Sequence, residues 1–186
     1  MAYSGQTITN PVSGETITFR KTAADTAGEY LEIDLELTPD GAVPGIHVHP
    51  HQEERFEVIS GRMKFQKGFK KVEAGPGDTV TVEPGTAHKF ENAGDEKAYV
   101  RVTVTPALKM EELFETTVQL AEEGRTNKKG MPKPLDFALF VTEYRDEVQG
   151  PFPPAWMQRA AIAPVAALAR RRGRGDRYVA PRPAIA

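Results

Sequence analysis

Between about residue 7 and residue 105, apolar and polar positions alternate in short runs rich in Ile, Val, Thr, Phe and Tyr. Examples are TITFRKT (16–22), YLEIDLEL (30–37), RFEVIS (55–60), RMKFQ (62–66), DTVTVE (78–83) and AYVRVTVT (98–105), separated by the turn signals PDG, ISG, PGD and NAGDE. A period of two puts every second side chain on the same side of a strand, so each run predicts one buried and one wet face. Strands in regular succession, with no helix between them, predict an antiparallel sandwich or barrel.

After Pro106 the period becomes helical. Leu108, Leu113, Phe114, Val118 and Leu120 recur among Glu and Lys, and Gly124 stands where a C-cap belongs. The polar loop RTNKKGMPKP leads to a second helical stretch from about Leu135 to Val148. PFPP then opens a third, about Ala155 to Arg172, interrupted by Pro164 and closed by three arginines. The predicted division is a β-barrel domain over residues 1–106, a helical extension over 107–172 packed on the barrel or on a dimer partner, and a basic, flexible tail over 173–186.

Composition narrows the chemistry. The 186 residues, 39% hydrophobic and 27% charged, suffice for one sizeable core. A formal net charge of -2 offers no basic field for nucleic acid, so a small-molecule partner is expected. No run of about 18 apolar residues occurs, and the third helix is too short and too proline-broken to span a bilayer, so no stable membrane association is expected. The N-terminal stretch has neither a basic nor an apolar leader segment, which predicts a cytoplasmic protein. With no cysteine, a metal can be held only through nitrogen and oxygen.

The octapeptide HVHPHQEE, residues 47–54, holds three of the four histidines. On a strand His47 and His49 share a face and can offer two imidazoles to one ion. In the next strand Glu54, Phe56 and Val58 share the more apolar face, which favours Glu54 over Glu53 as the inward carboxylate. His51 continues the alternation, but Pro50 and the following turn carry it toward the rim, where Gln52 and Glu53 are also expected. The fourth histidine, His88, shares an inward face with Phe90 and Asn92. Phe56, Met63, Phe65 and Phe90 are expected as core, and Arg101 as a surface residue, unless the sheet turns its side chain into the cavity.

These residues resemble the two sequence motifs of the cupin superfamily of small jelly-roll barrels. Gly41, His47, His49, Glu54 and Gly61 match the first motif, and Gly77, Gly85, His88 and Asn92 the second. One departure stands out: the usual proline falls at Glu83, and the chain has Pro84 instead. The HPHQEERFEV wording and the helical extension also look like a bacterial branch of single-domain cupins that has no assigned activity. The resemblance implies a mainly β fold, a cupin-type jelly-roll β-barrel with a helical C-terminal extension, and a homodimer. It further implies one divalent transition metal per chain, held by His47, His49, Glu54 and His88. Three imidazoles and a carboxylate suit Fe or Mn, the favoured pair, and also Zn, Ni, Co or Cu. An octahedral ion with four protein ligands keeps two positions for water, dioxygen or substrate. The expected function is a metal-dependent, dioxygenase-like oxidation of a small organic molecule. Non-redox isomerase, decarboxylase or lyase chemistry and a small-molecule-binding module without turnover are the alternatives.

Overall fold

A computed structural model describes residues 2–175. Nine strands come first: β1 (Thr7–Thr9), β2 (Glu15–Lys21), β3 (Leu31–Leu37), β4 (Glu53–Ser60), β5 (Met63–Lys67), β6 (Lys70–Ala74), β7 (Thr79–Val82), β8 (His88–Asn92) and β9 (Ala98–Thr105). Three helices follow, α1 (Met110–Glu122), α2 (Pro134–Glu143) and α3 (Ala155–Arg171). The strands pair antiparallel in a six-stranded sheet, ordered β1-β2-β3-β9-β4-β7, and a three-stranded sheet, ordered β6-β5-β8. This is a mainly β, jelly-roll architecture with a helical C-terminal extension.

The alternation becomes burial. Leu31, Ile33, Leu35 and Leu37 of β3 are buried, while Glu32, Asp34 and Glu36 between them are partly exposed. Val100, Val102 and Val104 of β9 face the same interior, and Phe56, Phe65 and Phe90 bring three rings into mutual contact between the sheets, with centroids 5.1–6.1 Å apart. Each fully buried Phe, Leu or Met contributes roughly 1.5–3 kcal/mol, so this interior is packed core, as expected. On the outer face Arg101 pairs with Asp34 at 3.0 Å, directly across from it in the register. It therefore points away from the cavity.

Gly61 shows why a motif glycine sits where it does. It follows β4 with a φ of +82°, and a Cβ there would lie 2.6 Å from the Cα of Ala98. Asn92 is a second structural member of the motifs: its amide donates to the carbonyls of Leu37, Thr38 and Glu96 and accepts from the N–H of Gly94. It ties the end of β8 to the end of β3.

The extension is fused to this core on one side. Met110, Leu113 and Leu120 of α1, with Phe140 and Tyr144 at α2, join the main hydrophobic cluster. Ala138 and Leu139 on another side of α2 form a second cluster with Ala166 and Ala169 of α3. Gln52, expected at the rim, is instead 1% exposed, and its amide donates to the carbonyls of Pro106 and Ala107 where the extension begins.

Three helix expectations need correcting. Leu108 precedes α1, with a φ of +45°. The second helix ends at Glu143 rather than Val148, because the backbone of residues 148–149 turns to meet the histidine segment. Pro164 does not interrupt α3, which runs through it: the residue is exposed, and its ring removes one hydrogen bond on the solvent side. Arg174, at the start of the expected flexible tail, is bonded to the buried Asp136 at 2.7 Å. The rest of that tail, residues 176–186, lies outside the described residues. No helix among the described residues is long and apolar enough to cross a membrane.

Candidate metal centre

Each side chain of the histidine cluster arrives on a differently braced piece of backbone. His47 lies on an irregular segment that pairs with His88 at the start of β8, through N–H to carbonyl bonds of 3.0 and 2.8 Å in the two directions. Two residues on, His49 presents its ring to the same side. Glu54 enters from β4, its inward orientation fixed by the alternation that also buries Phe56 and Val58.

The three imidazoles pack with centroids 4.3–5.2 Å apart. One possible ligand atom from each of His47, His49, Glu54 and His88 lies within 4.8 Å of the others. His49, Glu54 and His88 are buried and His47 is partly buried, so the approach from solvent is on the His47 side. The structure leaves His51 exposed, Glu53 partly exposed and neither in the cluster.

Hydrogen bonding fixes which ring nitrogen faces inward. Each Nδ1 meets a backbone carbonyl: His47 that of Gly45 at 2.9 Å, His49 that of Glu147 at 2.5 Å, and His88 that of Thr86 at 3.1 Å. A carbonyl only accepts, so each Nδ1 carries a proton and each ring turns its Nε2 into the cluster. His49 Nε2 then lies 3.3 Å, and His88 Nε2 2.8 Å, from the same Glu54 oxygen. All three of these atoms are buried without a hydrogen-bond partner. Buried acceptors facing one another require something positive between them, a proton or a metal ion.

The titration behaviour agrees. His47 is pushed down to about 3, first by burial and then by the facing His49 and His88. Burial also opposes charge on His49, yet the Glu54 carboxylate and the Glu147 carbonyl prevail and raise its pKa above the ordinary value. Glu54 is likewise opposed by burial, but His49 and then His88 hold it well below the usual carboxylate range. The site favours a carboxylate sharing positive charge with imidazole. It is a His/Glu cluster that could bind a metal, and the donor set of three nitrogens and a carboxylate fits a transition ion.

With this geometry in view, a family model described as a cupin domain matches residues 34–105, a span that contains all four residues. Residues 34–105 are thus a cupin domain. A relative, an uncharacterized protein of Methanocaldococcus jannaschii, is 34% identical over 59 residues, covering 32% of this chain. The chain spans about half the length of that relative, 47%. Among solved structures, the chain is similar to a predicted oxalate decarboxylase from Thermotoga maritima, at 20% identity over 57% of this chain and 98% of that one, with a TM-score of 0.49. It is similar to KdgF from a Halomonas species, at 12% identity over 56% and 91% of the two chains, with a TM-score of 0.49. A third is the polyketide cyclase RemF from Streptomyces resistomycificus, at 19% identity over 56% and 78%, with a TM-score of 0.47. None of these likenesses transfers an activity.

The sequence reading missed Glu147. It is buried, 98 residues from His49 in the chain, and supplies a backbone carbonyl rather than a side chain. A lone glutamate inside a stretch read as helical carries no signal of that role.

Proposed function

We propose that this cupin is a mononuclear metal-dependent enzyme acting on a small organic molecule, with oxidation by an Fe or Mn centre as the favoured chemistry. The observation that carries the reading is the convergence of His49 Nε2, His88 Nε2 and one Glu54 oxygen as buried acceptors without donors. His47, His49, Glu54 and His88 would hold the metal. When bound, a redox-active ion supplies dioxygen activation, and a redox-inert one supplies Lewis acidity.

The chain's own residues do the rest. The three carbonyl-bound Nδ1–H groups keep the rings in one tautomer and one orientation. Phe56, Phe65 and Phe90 fill the interior with apolar rings, which favours a small substrate entering from the His47 side. A non-redox isomerase, decarboxylase or lyase is the second reading, because a donor set without sulfur also accommodates Zn or Ni. A homodimer formed through an outer strand of the larger sheet, β1 or β7, belongs to the same proposal, since an unpaired edge invites pairing. Light scattering on the eluting protein would refute it by showing only monomer.

Elemental analysis of the protein as isolated tests the main reading: near one transition-metal ion per chain is expected, and none after His49→Ala with His88→Ala. Full occupancy surviving both changes would overturn the ligand assignment. Iron or manganese with oxygen consumption against a panel of small organic acids and phenols supports oxidation. Zinc or nickel with turnover but no oxygen uptake supports the second reading. Ligand-induced thermal stabilisation with no turnover at all would make the barrel a binding module.

A further inference from the structure

We infer that the helical extension is a working part of the metal centre, and that Glu147 is a positioning residue whose main-chain carbonyl sets the orientation of His49. The inference deepens the metal-site reading and rests on it. His47 and His88 find their Nδ1 acceptors two residues away, on their own segments. His49 alone among the three reaches out of the cupin domain, to an acceptor that β-strand packing does not supply.

The carbonyl is held from several sides. Val48, between the two histidines, exchanges a pair of backbone hydrogen bonds with Gln149, each 2.9 Å, so that Gln149 makes an isolated antiparallel bridge to the histidine segment. The Glu147 carboxylate accepts from the N–H of Lys109 at 3.0 Å, just before α1. The N–H groups of Glu147 and Val148 donate to the carbonyl of Tyr144, and the Tyr144 hydroxyl is bonded to Thr116 at 2.6 Å. One chain of contacts thus runs from α1 through Glu147 to the His49 ring. The other side of the same segment is bordered by the extension too, since Met131 lies close against Gly45.

An acceptor on the non-ligating nitrogen fixes tautomer and ring direction, and loss of such a partner typically weakens metal binding about 10–100-fold. Glu147→Ala releases the anchor at Lys109, whereas Glu147→Gln keeps an oxygen able to accept that N–H. Gln149→Pro removes one of the two bonds to Val48 without touching Glu147. The experiment measures Zn2+ and Mn2+ affinity by calorimetry for full-length wild type and the three variants. In parallel, two-dimensional nitrogen NMR of the metal-free proteins reads the tautomer of each histidine.

Glu147→Ala and Gln149→Pro are expected to weaken binding about tenfold or more and to shift the His49 nitrogens alone, with Glu147→Gln restoring both readouts. Affinity within twofold of wild type and unchanged His49 resonances, in whichever of these two variants folds, would overturn the inference. Wild-type protein that takes up neither metal would sink the proposed function. The NMR readout would then still decide whether Glu147 orients His49.

Discussion

If the cluster binds a metal as proposed, uptake should release protons, and their source is legible in the site. His47 is neutral at any pH above about 3, and Glu54 is already ionised, so neither has a proton to give in the neutral range. His49 is different: the adjacent carboxylate raises its pKa above 6.5, so in metal-free protein at about pH 6 it is charged. A metal needs its lone pair and must displace that proton. At least one proton per ion should therefore be released at about pH 6, and affinity should fall about tenfold per pH unit below the His49 pKa. Calorimetry in two buffers of different ionisation enthalpy measures the release directly. Glu54→Gln removes the charge that holds the proton, so release per bound metal should drop even though affinity drops as well. Identical heats in both buffers at about pH 6 would refute the reasoning.

Three groups of the cluster, His49, Glu54 and His47, set the pH response of metal-free stability. The raised His49 pKa contributes stability that is complete below 6.5 and lost as pH rises through the folded value. The depressed Glu54 pKa contributes stability present above 4.5 and lost as pH falls through its folded value. His47 acts oppositely: held down to about 3, first by burial and then by the facing His49 and His88, it costs stability that is recovered as pH rises from about 3 to 6.5.

Three further outcomes test other parts of the structure. Asn92→Asp sets a carboxylate against three carbonyl oxygens at 2.7–3.1 Å; it should cost about 3 kcal/mol or more and lower Tm by roughly 6–12 °C while leaving metal stoichiometry at the wild-type value, which thermal unfolding and elemental analysis together check. Gly61→Ala combines a left-handed φ with a backbone clash at Ala98, for a loss of about 2–5 kcal/mol in urea unfolding; a loss under about 0.5 kcal/mol would contradict the geometry. Phe56→Ala removes a ring that touches Phe65 and Phe90 and should cost about 3–5 kcal/mol by the same assay.

How much of this was readable beforehand depends on whether a residue's role leaves a periodic trace. β9 was legible to the residue over 98–105, because Val100, Val102 and Val104 alternate cleanly with polar neighbours. β6 was not anticipated: KKVEA is exposed along four of its five positions, and an edge strand with no buried face has no alternation to show. Gln52 failed for the opposite reason, since a polar residue in a polar run gives no sign that its amide will be buried against two carbonyls. Pro164 misled because a proline reads as a break, whereas the exposed side of a helix tolerates the loss of one hydrogen bond.

The His/Glu cluster divides along the same line. Side chains that converge must alternate correctly on their strands, so His47, His49, Glu54 and His88 could be placed from spacing and motif. What orients them is mostly main chain, and a carbonyl has no residue type. Gly45 and Thr86 lie two positions from the histidines they brace, where local backbone geometry sets the contact. Glu147 braces His49 only because α1, α2 and the bridge at Val48 bring the chain back across 98 residues. That return ties the helical extension to the histidine cluster: a substitution that disturbs residues 147–149 is expected to act on the cluster, whereas one on the outer face of α3 is not.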